Sequence, residues 1–221
     1  MQTESFFVQL PVLIFSIVCH EYAHGYIAAR RGDDTAGLMG RLTLNPLPHV
    51  DPIGTIIVPV IAFFSSIPAI GWAKPVPVNP LRLESPRRDM MWVSLAGPLT
   101  NFALAGLFAL FFKLTLVAVG MLGMALTSGS LAVLILKSAY YGVLINLVLA
   151  FFNLIPLAPL DGSHILAAKL SGGALEKYAR INQYGPWILI GLLFTHGLDL
   201  ILRVPIALAM WVFSALRIFS P

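Results

Sequence analysis

Two histidines and a glutamate stand together at His20-Glu21-Tyr22-Ala23-His24, inside an apolar run that begins near Phe6. On a helix, residues four apart lie one turn apart on the same face, so the two imidazoles can converge on one zinc ion. Glu21 lies beside the pair, where its carboxylate can take a proton from a water held by such an ion, as a metal-assisted hydrolase requires. A glutamate and two histidines in an apolar helix are costly, which favours a functional site over a helix with two interfacial histidines. Cys19 is the single cysteine, so no intrachain disulfide forms, and its setting reads as a packed thiol and not a ligand.

The element that carries this motif belongs in a lipid bilayer. Hydrophobic residues make up 58% of the chain, charged residues 11%, and mean hydropathy is +0.85, far from the balance of a soluble domain. The net charge of +4 falls in clusters between apolar runs and forms no stripe along a helix. It reads as topology and headgroup contact, with no nucleic-acid partner. The pattern predicts an all-α polytopic membrane protein with about five to six transmembrane helices. No internal repeat or low-complexity tract divides it, so residues 1–221 read as one membrane-embedded domain.

Met1 to Ser5 holds no Lys or Arg, and the run behind it carries the motif where a cleavage site would stand, so no signal peptide is expected. A first span from Ser5 to about Ala29 ends at Arg30-Arg31, which places that end in the cytoplasm and the N-terminus outside. At about 1.5 Å per residue His20 then lies roughly 22 Å into a core of about 30 Å, on its cytoplasmic side. Leu38 to Pro46 alternates apolar and polar residues, a strand pattern that proline ends. Ile53 to Gly71 is apolar but broken by Gly54, Pro59 and Pro68, and basic clusters flank it on both sides. A re-entrant strand or hairpin returning to the cytoplasmic side fits that charge better than a span, and irregular backbone is tolerated at membrane depth where it lines a cavity.

Met90 to Phe112 is expected to run outward. Leu114 to Leu126 is an outer-side helix or an extension of that span, and Leu131 to Phe152 crosses back, with Asn146 inside it and Lys137 near enough to the outer end to snorkel. Pro186 to Arg203 and Val204 to Phe219 form a last hairpin or two short spans. His196 and Asp199 in it are three apart and read as interfacial.

A zinc site of this type needs a third protein ligand and an open position for water. Carboxylates from membrane-embedded stretches are few, and Asp161, where the inward-running span ends, alone arrives at the depth of His20 and His24. Asn153 stands eight residues earlier, in a proline-broken stretch where its amide could face the same cavity and donate to a developing oxyanion, or merely cap backbone.

These residues resemble the site-2 protease family of intramembrane zinc metalloproteases. The family pattern is H-E-x-x-H on one transmembrane helix and N-x-x-P-x-x-x-x-D-G closing a later one, here His20 to His24 and Asn153 to Gly162. The resemblance extends to Gly97-Pro98-Leu99-Thr100-Asn101 and to a re-entrant segment after the first helix. It implies one Zn2+ per chain held by His20, His24 and Asp161, Glu21 as general base and Asn153 as a transition-state donor. It also implies transmembrane protein substrates, and a multi-pass protein of the cell membrane with its active site toward the cytoplasm. No PDZ segment accompanies these motifs, so the resemblance is to a minimal form. His164 stands where the family more often has a small or basic residue and is left out of the ligand set. A helical substrate must be locally unwound before attack, and the strand near Arg41 to Asn45 could pair with it. A metal-binding transporter or a non-catalytic binder of membrane proteins would use similar residues, but neither needs a glutamate beside the first histidine.

Overall fold

The computed structural model describes residues 2–57, 74–123, 125–127 and 129–220. In chain order the helices are α1 (Gln2–Arg30), the single turn α2 (Thr35–Leu38), α3 (Pro86–Met121), α4 (Leu131–Asn153), α5 (Asp161–Lys169), α6 (Gly172–Asn182), α7 (Gly185–Phe194) and α8 (Gly197–Ala215). Short helical turns occupy Leu47–His49, Pro52–Ile57 and Pro80–Arg82. Among the described residues four helices are long and apolar enough to cross a membrane: α1 from Phe7, α3, α4 and α8. The 10-residue α7 is apolar but too short to cross at about 1.5 Å per residue.

α1, α3 and α4 pack on one another to form the centre of the fold. Where α3 meets α4, small residues let the backbones close up, as lipid-embedded helices require in the absence of a water-driven force between them. Ala105 and Ala109 on α3 face Val143 and Leu147 on α4, all four buried, and Phe102, Phe108 and Phe151 close around them. The ring of Phe108 lies where a side chain at Gly142 would begin, so that position takes only glycine. α4 is buried along Ala139, Val143, Asn146, Leu147 and Ala150, a run at helical three- and four-residue spacing.

The polar connections between these helices are tied by carboxylates. Asp89, fully buried on the first turn of α3, accepts from Arg31 at 2.9 Å and from the Ser85 backbone N–H at 2.7 Å. Asp33, also fully buried, accepts from both the hydroxyl and backbone N–H of Thr35 and from the Asn79 N–H at 2.6 Å. Burial works against the charge on Asp33, and these hydrogen bonds together with Arg82 more than offset it, holding the carboxyl below the ordinary carboxylate range.

Two expectations change, and an alternative left open is decided. Leu38 to Pro46 forms no strand. After α2 the chain turns at Gly40 with φ +66°, and Thr43 and Asn45 bond forward to the backbone N–H groups two residues on, so local side-chain turns outcompete the alternating pattern. No strand occurs among the described residues. Leu114 to Met121 continues α3 without a break, making it 36 residues long. The last apolar stretch breaks at Thr195 and His196, the latter left-handed at φ 57°, and not at Arg203; Pro205 lies inside α8. Most of Ile53 to Gly71 lies outside the described residues, and with it the re-entrant reading.

Candidate functional site

Spacing alone brings His20 and His24 to one face of α1, and the turn into α5 brings Asp161 to them. The Nε2 atoms of His20 and His24 are 3.0 Å apart, and Asp161 Oδ2 lies 3.2 Å from the first and 3.3 Å from the second. One ligand atom from each of the three lies within 4.8 Å of the others, the arrangement of a group that could hold a metal ion. His20 and His24 are buried and the Asp161 side chain nearly so.

The hydrogen bonds behind the rings decide what stands between these three atoms. His24 Nδ1 lies 2.7 Å from the Val93 carbonyl, which can only accept, so Nδ1 carries a proton and Nε2 is the nitrogen left to serve as a ligand. His20 Nδ1 lies 2.6 Å from Asn101 Oδ1, which has the same consequence. Two imidazole Nε2 atoms and a carboxylate oxygen therefore face one another, and Asp161 Oδ2 is buried without a hydrogen-bond partner. Two ring nitrogens and a carboxylate oxygen aimed at one point suit a cation, and imidazole with carboxylate is a donor set that zinc accepts.

α3 packs unusually close to this group. A side-chain carbon at Gly97 would come 2.5 Å from His20 Cε1, 2.6 Å from its Nε2 and 2.6 Å from His24 Cε1. Any residue but glycine would stand in the space the imidazoles occupy. Asp161 is placed by the turn from Leu154 to Leu160. Gly162 packs against the Leu154 and Ile155 carbonyls, where a Cβ has no room. α6 clamps the turn from outside: Asn182 accepts from the Ala158 N–H at 2.6 Å, and the Tyr178 hydroxyl donates to the Pro156 carbonyl at 3.0 Å.

Glu21 is half-buried and does not join the three-atom group; its Oε2 accepts from the Val76 backbone N–H at 2.7 Å. Val76 belongs to a strap, Lys74 to Asn79, that crosses α1 at Gly25, where a Cβ would meet Val76 Cγ1 at 2.9 Å. The strap is anchored along its length: the Lys74 N–H donates to the His49 carbonyl, Arg41 donates to the Pro75 carbonyl, and the Asn79 N–H reaches Asp33. Asn153 is the last residue of α4, half-buried, with its Nδ2 donating to the Leu149 carbonyl at 2.9 Å. One of its two amide protons is thus committed to its own helix. His164 is exposed at the side of α5, and His196 pairs with Asp199 at 3.0 Å, both exposed.

Sequence reasoning missed the ties of Glu21 to Val76, of His24 to Val93 and of His20 to Asn101. The first two run through backbone atoms and leave no trace in residue type. The third had a signal, since Asn101 is a polar residue inside a predicted span.

Residues 8–193 match the profile of Peptidase family M50. YwhC of Bacillus subtilis, a zinc metalloprotease by name, is 43% identical over 176 residues, covering 78% of this chain and 74% of its own. Rip2 of Mycolicibacterium smegmatis, also named a zinc metalloprotease, is 30% identical over 206 residues, 91% of this chain and 71% of its own. No solved structure matches. With a match that runs from α1 into α7 and takes in every residue of the converging group, the chain belongs to peptidase family M50.

Proposed function

We propose that this chain is an intramembrane zinc metalloendopeptidase that cleaves peptide bonds within or near the transmembrane segments of membrane proteins. The observation that carries this reading is the convergence of His20 Nε2, His24 Nε2 and Asp161 Oδ2, mutually close and one residue from a carboxylate outside the group. His20, His24 and Asp161 hold one zinc per chain. When bound, the ion supplies Lewis acidity to a water and to the scissile carbonyl.

The remaining work falls to the chain itself. The Val76 N–H engages one oxygen of Glu21, fixing the carboxylate and leaving the other oxygen to take the proton from water and pass it to the leaving amine. Asn153 keeps one uncommitted amide proton for the oxyanion that forms as the carbonyl is attacked. Asn153→Ala is expected to keep its zinc and lose on the order of 10²-fold in kcat with little change in KM, because a donor that meets charge only in the transition state does not aid binding. Loss of zinc, or a raised KM at unchanged kcat, would make Asn153 structural or substrate-clamping.

The chain crosses the cell membrane several times with the site toward the cytoplasm. Arg31 just past the end of α1 and Arg88 at the start of α3 support this reading, since both ends carry the basic residues that favour the cytoplasm. Cysteines introduced near Arg31, Arg88 and Lys177 should react with a cytoplasmic reagent, and one at position 2 with an external reagent. Labelling of the Arg31 and Arg88 positions from opposite sides would overturn this topology.

The deciding experiment uses detergent-purified full-length protein. It should contain about one zinc per chain, and His20→Ala, His24→Ala or Asp161→Ala should each remove most of it. It should cleave members of a panel of single-span membrane proteins, stop on chelation and resume on zinc addition. Normal zinc in Asp161→Ala removes that residue from the ligand set, and cleavage that survives complete zinc removal sinks the metallopeptidase reading.

A further inference from the structure

Behind His20 runs a chain of buried side chains that ties α1, α3 and α4 together, and its polarity is fixed at the far end. The Ser16 hydroxyl donates to the Val12 carbonyl at 2.8 Å, so its oxygen accepts from Asn146 Nδ2 at 2.8 Å. The second proton of Asn146 Nδ2 goes to the Gly142 carbonyl at 2.8 Å. Both groups anchoring the chain are backbone carbonyls, which cannot donate, so the Asn146 amide has one permitted orientation. Its Oδ1 must then face Asn101, and it accepts from Asn101 Nδ2 at 2.8 Å. That turns Asn101 Oδ1 toward His20 Nδ1, at 2.6 Å. Ser16, Asn101 and Asn146 are all fully buried, and no water-facing group intervenes to reverse the order.

We infer that Asn146 and Asn101, with Ser16 behind them, are positioning residues for the metal centre: they hold His20 in the tautomer whose lone pair sits on Nε2. Asn101 does this directly. Asn146 acts through Asn101, by preventing its amide from turning over. A turned amide would aim Nδ2 at His20 Nδ1, favour the proton on Nε2 and remove the lone pair that faces Asp161. Outer partners that fix a ligating histidine commonly contribute about 10- to 100-fold in metal affinity. The inference rests on the reading of His20 as a zinc ligand.

The test is the zinc dissociation constant of the detergent-purified full chain, measured by competition with a chromophoric chelator, alongside the melting temperature of each zinc-free variant. Asn146→Leu, which touches no ligand, should weaken zinc binding about 10- to 100-fold. Asn101→Asp combined with Asn146→Leu should recover most of that loss, because a carboxylate offers His20 Nδ1 an acceptor whichever way it turns. If Asn146 merely packs helices, the added carboxylate restores nothing. Zinc affinity of Asn146→Leu equal to wild type, or a double variant no tighter than Asn146→Leu, overturns the inference. Should Asn146→Leu fail to fold, Asn146→Asp decides: as a neutral acid its O–H donates to the Gly142 carbonyl while its other oxygen still accepts from Asn101, so it should bind zinc nearly as wild type does, and a large loss overturns the inference. Failure of the ligand reading looks different, since wild type itself would then bind no stoichiometric zinc.

Discussion

Glu21→Gln should retain its zinc and its fold while kcat/KM for a reconstituted transmembrane substrate falls by about 10²- to 10⁴-fold, the range that a positioned general base contributes. The glutamine oxygen still accepts from the Val76 N–H, so the strap stays seated on α1 and the side chain keeps its pose. What is lost is the basic oxygen alone. Because Glu21 stands outside the group formed by His20, His24 and Asp161, metal content should not move. A variant that loses zinc would bring Glu21 into the ligand set, and one that cleaves at the wild-type rate would leave the reaction without its base.

Gly97→Ala is the second large effect, and it runs against local helix preference. Alanine is favoured over glycine in a helix interior by about 1 kcal/mol, so α3 itself should tolerate the change. The added carbon, however, would lie 2.5 Å from His20 Cε1 and 2.6 Å from His24 Cε1, inside the contact distance of any two carbons. Either both rings swing away from Asp161 or α3 retreats from α1, and a site of this kind works only when its groups hold to about 0.5 Å. Zinc content should fall sharply, and cleavage by roughly 10²-fold or more, as expected for a misplacement near 1 Å. Metal analysis and a cleavage assay on the same preparation check this; normal zinc with normal turnover would show that α1 and α3 do not approach this closely.

The part of the site carried by spacing was legible in the sequence. His20 and His24 follow from helical periodicity, and Asp161 followed from counting residues through a span, because the bilayer thickness sets a ruler that soluble folds lack. Asn146 was visible as a polar residue in an apolar helix, but not its role, since the partners that give it one, Ser16 and Asn101, lie on two other helices. Pairing between helices is a property of packing, and one sequence does not report it. The strand reading of Leu38 to Pro46 failed for a local reason: alternation says nothing of a partner, and Gly40, Thr43 and Asn45 had closer hydrogen bonds to make. The division of the last apolar stretch went astray because Arg203 looked like a boundary, whereas a charged side chain on an exposed helix face can be carried through.

The strap over α1 has a further property that follows from its prolines. Of the residues from Lys74 to Pro80, those at 75, 77 and 80 have no N–H, and the N–H groups of Lys74, Val76 and Asn79 are committed to His49, Glu21 and Asp33. Only the Val78 N–H is left over among the described residues. A β-ladder needs each chain both to give and to receive protons, and this one can do almost nothing but receive. Two copies of the protein meeting at their straps would offer carbonyl to carbonyl. The backbone that holds Glu21 in place is thereby protected from zipping onto its own kind, a hazard that any exposed irregular edge otherwise carries.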